Sequence, residues 1–343
     1  MTVSAETSLT VFRGAPQNSG LSSAIDYKNP RVKTFIEQWL LTAYLSDGSL
    51  LTVLFLVHNA GPGSGYAGVM VRFMPPGREK IMEIIGSDEP QSGADPFDLR
   101  FGPSFLRSKD GAYEVSARGP KIGFDGRLEP LAAPYTAGDG RIVDTVSGKY
   151  MSWGVMVPRG RLRGELTTGG VSRKIEGFAN LEHAEATLPA ADISRTWRTV
   201  RLHTEEWTVN FLAIDGLPRP GPSPLVLVHV ADANGSLLAS NDCSLSGDWL
   251  RFDPAGEPPA AQWGFACRFA NEMLDARIVP IRSADHSRGF DGLPFFIRIA
   301  ARLLSPEPLG YLIHHSHEVS LHTVPRQATL RGRGYDEFLE FKR

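Results

Sequence analysis

Apolar and polar positions in this chain alternate over short windows and seldom recur at helical spacing, a pattern that predicts many short strands. Two apolar runs, WLLTAYL and LLTVLFLV, flank Asp47-Gly48 between Trp39 and Val57. An Asp-Gly pair tolerates the positive φ of a tight turn, so this segment predicts a hairpin. Tyr66 to Met74 predicts a further strand, stopped by Pro75-Pro76-Gly77. Asp98 to Val115 predicts a hairpin turning at Lys109-Asp110-Gly111, and Lys121 to Leu131 another turning at Asp125-Gly126. Strands from Tyr150 to Val157 and Arg161 to Leu166 then lead over a glycine-rich turn into Ser172 to Gly177, and the first half reads as an antiparallel meander.

The second half, from near Thr196, repeats this grammar. Strands are predicted in WRTVRLHTEEWTVNFLAIDG, LVLVHVADANGSLLASND and WGFACRFANEMLDARIVPI, with a hairpin turn at Asn234-Gly235 and a proline-rich connection over residues 217–224. Phe295 to Leu304 and Tyr311 to Val324 complete the sheet. Only Asn29 to Trp39 and Tyr335 to Lys342 carry a mildly helical pattern. The expected architecture is all-β: two antiparallel β-barrel or sandwich domains, residues 1–190 and 191–343, packed side by side with a pocket in a barrel mouth or at the joint.

Composition narrows the partners. At 343 residues, 42% hydrophobic and 22% charged, the chain is long enough for two domains with cores of their own. A net charge of −2 lacks the basic excess that nucleic acid demands, so no nucleic-acid partner is expected. The longest apolar run, Leu50 to Val57, falls far short of the ~20 residues that span a bilayer, so no stable membrane insertion is expected. The N-terminal stretch lacks the charged start and apolar core of a secretory signal, which predicts a cytoplasmic location and reduced Cys243 and Cys267. Arg159, Arg161 and Arg163 alternate along one run and predict the outer face of one strand. Nothing in the pattern sets the oligomeric state.

Candidate chemistry concentrates between Trp153 and Trp207, where GFANLEHAEATLP carries Glu182, His183 and Glu185. A carboxylic acid against an apolar wall resists ionisation, which suits Glu182 to protonating an alkene or polarising a carbonyl, with His183 beside it. Adjacent strand residues face opposite ways, so one of that pair looks into a given pocket. Tyr150 and Trp153 offer π faces that stack on a conjugated chain, steady a cation or fill a core, and Trp39, Trp197, Trp207, Trp249 and Trp263 carry the same alternatives. His315 and His317 share a strand face, but no third and fourth ligand stand at matching spacing and no metal is expected. Gly61 to Gly65 lacks the Lys-Ser/Thr and the helix of a phosphate loop and reads as a hairpin loop. There is no G-x-S-x-G elbow, no cysteine in a nucleophile context, and no cofactor is expected.

The stretch SWGVMVPRGRLRGELTTGG, followed by VSRKIEGFANLEHAEATLP, resembles the central motif of the carotenoid 1,2-hydratase (hydroxyneurosporene synthase) and AttH-like superfamily. Glu37-Gln38-Trp39 before Asp47-Gly48, the segment FDLRFGPSFLRSKDGAYEV, and Arg298, Gly310 and Glu318 near the end resemble other segments of that superfamily. The resemblance covers most of the chain and implies two lipocalin-like β domains and a hydrophobic small-molecule substrate. Against the hydratase pattern Y-H-D-H-N-W-G, Asn180 stands for Tyr, Leu181 for His, Glu182 for Asp, His183 for the second His, Ala184 for Asn and Glu185 for Trp. One acid and one histidine persist, as Glu182 and His183, with Trp153, Tyr150, Asn180 and Trp39 as candidate substrate contacts. Related lipocalin-like proteins, including fungal decalin-forming Diels–Alderases, are cyclases that have diverged from the hydratase cluster. The resemblance therefore implies a cofactor-independent cyclase acting on a linear polyene or polyketide, with an isoprenoid hydratase or a non-catalytic lipophilic carrier as alternatives.

Overall fold

The structure is a computed structural model. It describes residues 9–10, 34–60, 65–87, 90–94, 97–144, 149–187, 194–204, 206–215, 225–232, 237–240, 242–247, 263–269, 272–288, 308–323 and 326–341. Among these every regular element is a strand, and no helix is long and apolar enough to cross a membrane. The chain divides into two compact units, Met1–Pro189 and Ala190–Arg343.

Unit 1 contains β1 (Leu9–Thr10), β2 (Thr34–Leu45), β3 (Leu50–Ala60), β4 (Tyr66–Met74), β5 (Ile81–Gly86), β6 (Gln91–Ala94) and β7 (Phe97–Phe101). It continues with β8 (Ser104–Lys109), β9 (Ala112–Arg118), β10 (Ile122–Pro130), β11 (Tyr135–Asp144), β12 (Tyr150–Thr168) and β13 (Val171–Ala186). These form one antiparallel sheet in the order β5-β4-β3-β2-β13-β12-β10-β9-β8-β7-β6, with β11 on β12 and β1 on β11. The local meander thus gains one long-range pairing, β13 on β2, which brings residue 183 beside residue 39. The sheet curls so that one face closes on itself: Phe55 of β3 meets Phe101 of β7 edge to face, with ring centroids 5.5 Å apart. That inner face carries Trp39, Leu41, Val69, Leu106, Phe124 and Leu181, all almost fully buried. Across the curl, the Glu83 carboxylate on β5 accepts the backbone N–H groups of Lys121 (2.8 Å) and Ile122 (3.0 Å), tying the sheet edge to the β9–β10 turn.

Turn chemistry explains where the hairpins lie. Gly48 (φ 80°) turns β2 into β3, and Asp110 (φ 50°) with Gly111 (φ 72°) turns β8 into β9. The turn expected at Asp125-Gly126 is absent, because β10 runs straight through it in register with β9 and β12. Gly126 instead makes room: a Cβ there would lie 2.3 Å from the buried Phe124 ring. The two strands expected between Tyr150 and Leu166 are one, β12, interrupted by register shifts between Val155 and Gly160 that accommodate Pro158 as a bulge. Arg161 and Arg163 are exposed as expected, but Arg159 is 1% exposed, its guanidinium 4.2 Å from the Phe178 ring centroid.

Unit 2 holds β14 (Thr196–His203), β15 (Trp207–Asp215), β16 (Leu225–Asp232), β17 (Leu237–Ser240), β18 (Cys243–Gly247), β19 (Trp263–Phe269), β20 (Glu272–Arg288), β21 (Pro308–Thr323) and β22 (Arg326–Phe341). Their order is β17-β16-β15-β14-β22-β21-β20-β19-β18, around a core that includes Val200, Phe211, Trp263, Phe265 and Leu274. The expectation of reduced cysteines is corrected: Cys243 and Cys267 are register partners on β18 and β19 and form a disulfide, with Cα atoms 4.1 Å apart. Both helical expectations are corrected as well. Residues 34–39 open β2, where Phe35, Glu37, Trp39 and Leu41 alternate inward, and residues 335–341 belong to β22, paired with β14 and β21. Sheet pairing overrides the weak local preference. The expectations for residues 61–64, 217–224, 234–235 and 295–304 lie outside the described residues, as do the side-chain positions of His315 and His317.

Candidate active site

Three adjacent strands, β12, β13 and β2, bring the candidate residues together. Gly154 pairs with His183 and His183 with Trp39; one row away, Ser152 pairs with Glu185 and Glu185 with Glu37. Register partners in an antiparallel sheet share a face, and successive residues alternate. The six candidates therefore divide into two groups. Asn180, Glu182 and Trp153 lie on the outer face; His183, Trp39 and Tyr150 lie on the inner face with the core.

On the outer face Glu182 is buried, and each of its carboxylate oxygens takes a donor. Trp153 Nε1 donates to Oε2 at 3.1 Å and Asn180 Nδ2 donates to Oε1 at 2.6 Å. The Trp153 ring meets Tyr135 edge to face at 6.2 Å between centroids. Asn180 is fully buried, and Phe178, two residues earlier on the same face, carries the Arg159 guanidinium. Donors on both oxygens fix this carboxyl as an acceptor and hold the indole in place.

On the inner face His183 Nε2 lies 2.8 Å from Glu37 Oε1, and its ring stacks on Trp39 at 5.0 Å between centroids and 23° between planes. The Glu37 side chain is 1% exposed and that of His183 13%, so the imidazole is the more accessible of the pair and the carboxyl is sealed. Burial pushes the Glu37 pKa above the usual carboxylate value, the His183 hydrogen bond and charge pull it back, and the nearby Glu185 charge raises it further. The net direction is upward. The Tyr150 hydroxyl donates to Glu185 at the same end of the face. Gly154 contributes no side chain to the row that it shares with His183 and Trp39.

Glu37 was not among the sequence-predicted site residues, although a signal for it exists. It is a carboxylate in phase with Phe35, Trp39, Leu41, Ala43 and Leu45, the apolar positions of one strand, and so must face the interior. A cleft of about 840 Å³ lies at the opposite ends of β2 and β13, lined by Asp47, Glu114, Arg127, Arg163, Arg173 and Glu176 among others. Its charges approach one another, Arg173 to Asp47 at 3.6 Å and Arg127 to Glu114 at 3.9 Å, and Leu45, Phe105, Val115 and Ile175 add apolar wall between them. Among the described residues no group of three or more His, Cys, Asp or Glu is placed to hold a metal ion.

Curled antiparallel sheets with an inward apolar face place this all-β chain in the lipocalin-like fold class. No family model matches the sequence, and no curated protein matches it. Among solved structures, the chain is similar to the AttH-type protein NE1406 of Nitrosomonas europaea, with a TM-score of 0.60 and 12% identity over 96% of this chain and 100% of the other. It is similar to CghA, with a TM-score of 0.63 and 12% identity over 98% of this chain and 96% of the other. Kievitone hydratase of Nectria haematococca gives a TM-score of 0.55 and 10% identity over 98% of each chain. All three are lipocalin-like, and the likeness is one of fold.

Proposed function

We propose that this protein is a cofactor-independent enzyme that cyclises or isomerises a linear, conjugated, carbonyl-bearing substrate of the polyene or polyketide class. We take its two units as two lipocalin-like domains, residues 1–190 and 191–343. The observation that carries this reading is the buried Glu37 carboxyl, resistant to ionisation, bonded to an imidazole that stacks on an indole at the end of an apolar sheet interior. A neutral carboxyl there donates a hydrogen bond to the substrate carbonyl and draws electron density from the conjugated chain. His183 Nε2, as donor to Oε1, leaves the carboxyl proton on Oε2. The apolar wall restricts the chain to a folded, reactive conformer, which lowers the barrier without covalent chemistry. Glu182, which accepts from Trp153 and Asn180 on the outer face, braces the sheet and takes no part in the reaction. The fold shared with CghA, a Diels–Alderase-like cyclase, supports this reading.

A second reading, hydration of a double bond, is favoured by the fold shared with kievitone hydratase together with the same buried acid. The two separate in one experiment. The full chain is incubated with a linear polyene enone in heavy-oxygen water. A product of unchanged mass carrying a new ring supports cyclisation, uptake of the label supports hydration, and recovery of unaltered polyene contradicts both in favour of a carrier.

A further inference from the structure

Two buried polar atoms of the inner face, Glu37 Oε2 and Trp39 Nε1, have no hydrogen-bond partner among the described residues. Neither residue is short of company: Glu37 bonds His183 through its other oxygen, and Trp39 stacks beneath the same imidazole. A buried polar atom without a partner costs about 1–3 kcal/mol, which a ligand that pairs with it recovers. Glu37 and Trp39 are two residues apart on β2 and face the same way, which sets their Cα atoms roughly 6.6 Å apart. Both side chains flank one imidazole, Glu37 through Oε1 at 2.8 Å from His183 Nε2 and Trp39 through its ring at 5.0 Å between centroids. The unpartnered hydroxyls of Ser49 and Thr52 offer no such pair, because Ser49 sits in the β2–β3 turn and Thr52 lies on the other face of β3.

We propose that Trp39 Nε1 and Glu37 Oε2 together receive a single carbonyl oxygen of the substrate, both as donors. Trp39 is then a specificity-determining residue: its indole N–H selects a ketone or an enone over a hydrocarbon of the same shape. Its ring meanwhile sets the imidazole plane. Two donors on one carbonyl oxygen also stabilise the negative charge that gathers there as the conjugated chain reacts. This inference rests on the proposed function for its substrate, but it concerns binding and is tested by binding.

The probes are 2-acetylnaphthalene and 2-isopropenylnaphthalene, which differ by an oxygen in place of a methylene. Calorimetry on the full chain is expected to show the ketone binding about a hundredfold more tightly, roughly tenfold for each of two well-made buried hydrogen bonds. Trp39→Phe keeps a ring under His183 and removes the N–H; it is expected to reduce that preference about tenfold while leaving the hydrocarbon's affinity near its starting value. The infrared stretch of a carbon-13-labelled ketone supplies a readout on the unaltered protein, with the bound band moving to lower frequency. Equal affinity for the two probes, no binding of either, or an unshifted carbonyl band overturns the inference. Should the preference hold while His183→Ala retains full turnover, the catalytic reading fails and the carbonyl subsite stands; the converse results separate them the other way.

Discussion

The two faces of the sheet at β2 and β13 carry the same kinds of side chain and treat them differently. On the outer face the carboxyl of Glu182 has a donor on each oxygen, from Trp153 and Asn180. On the inner face the carboxyl of Glu37 has one oxygen bonded to His183 and the other buried without a partner among the described residues. A fully engaged buried network holds a structure in place, whereas a partly engaged one stores free energy that a ligand can recover. Adjacent residues, Glu182 and His183, thus make different bonds: one accepts from an indole and an amide on the outer face, the other bonds a buried carboxyl on the inner face.

Variants that strike one face should leave the other's property intact. The largest effect is expected for His183→Ala, which removes the proton partner of Glu37; turnover of the polyene substrate should fall by about 10²-fold or more, the usual share of general acid–base catalysis, with a nearly unchanged melting temperature. Unit 2 extends the contrast to stability. His229 is buried on the sheet face that carries Arg201 and Asn210, and burial, then the Arg201 charge, lowers its pKa to about 3. Because the folded value lies below the unfolded 6.5, its contribution is present above pH 6.5 and is lost as pH falls through about 3. Acid titration followed by circular dichroism should show a loss of a few kcal/mol across that window, and His229→Gln should shrink it.

Asn180→Ala comes next in size. It removes the donor on Glu182 Oε1 in a buried setting, and thermal denaturation should register a loss of about 1–3 kcal/mol while turnover per folded molecule stays within about threefold. The pH dependence of the rate is a finer test. A raised Glu37 pKa means that the proton is present below it, so kcat should hold at low pH and decline as pH rises through that value. A rate that instead rises over the same range would place the working group elsewhere.

Strand boundaries set by turn chemistry, at Asp47-Gly48 and Asp110-Gly111, could be read directly because a positive φ admits few residues. Asp125-Gly126 carries the same letters for another reason, space for the Phe124 ring, and only packing tells the two apart. Pro158 reads as a strand end, yet a bulge accommodates it inside β12. The Cys243–Cys267 bond required a register that no spacing reveals. Alternation alone predicts that Glu182 and His183 part company. The partner of His183 was harder to find, since Glu37 lies on another strand 146 positions away, although its phase within an apolar face marked it as buried.

The most direct test is a side-by-side measurement of Glu37→Gln and Glu182→Gln, each assayed for turnover of the polyene enone and for melting temperature. Either change preserves shape and removes a carboxyl. Glu37→Gln is expected to lose about 10²-fold in kcat with its melting temperature kept or raised, and Glu182→Gln to lose stability and keep its kcat within about threefold. The reverse pattern, with catalysis lost at Glu182 and retained at Glu37, would contradict the assignment of the acid to Glu37.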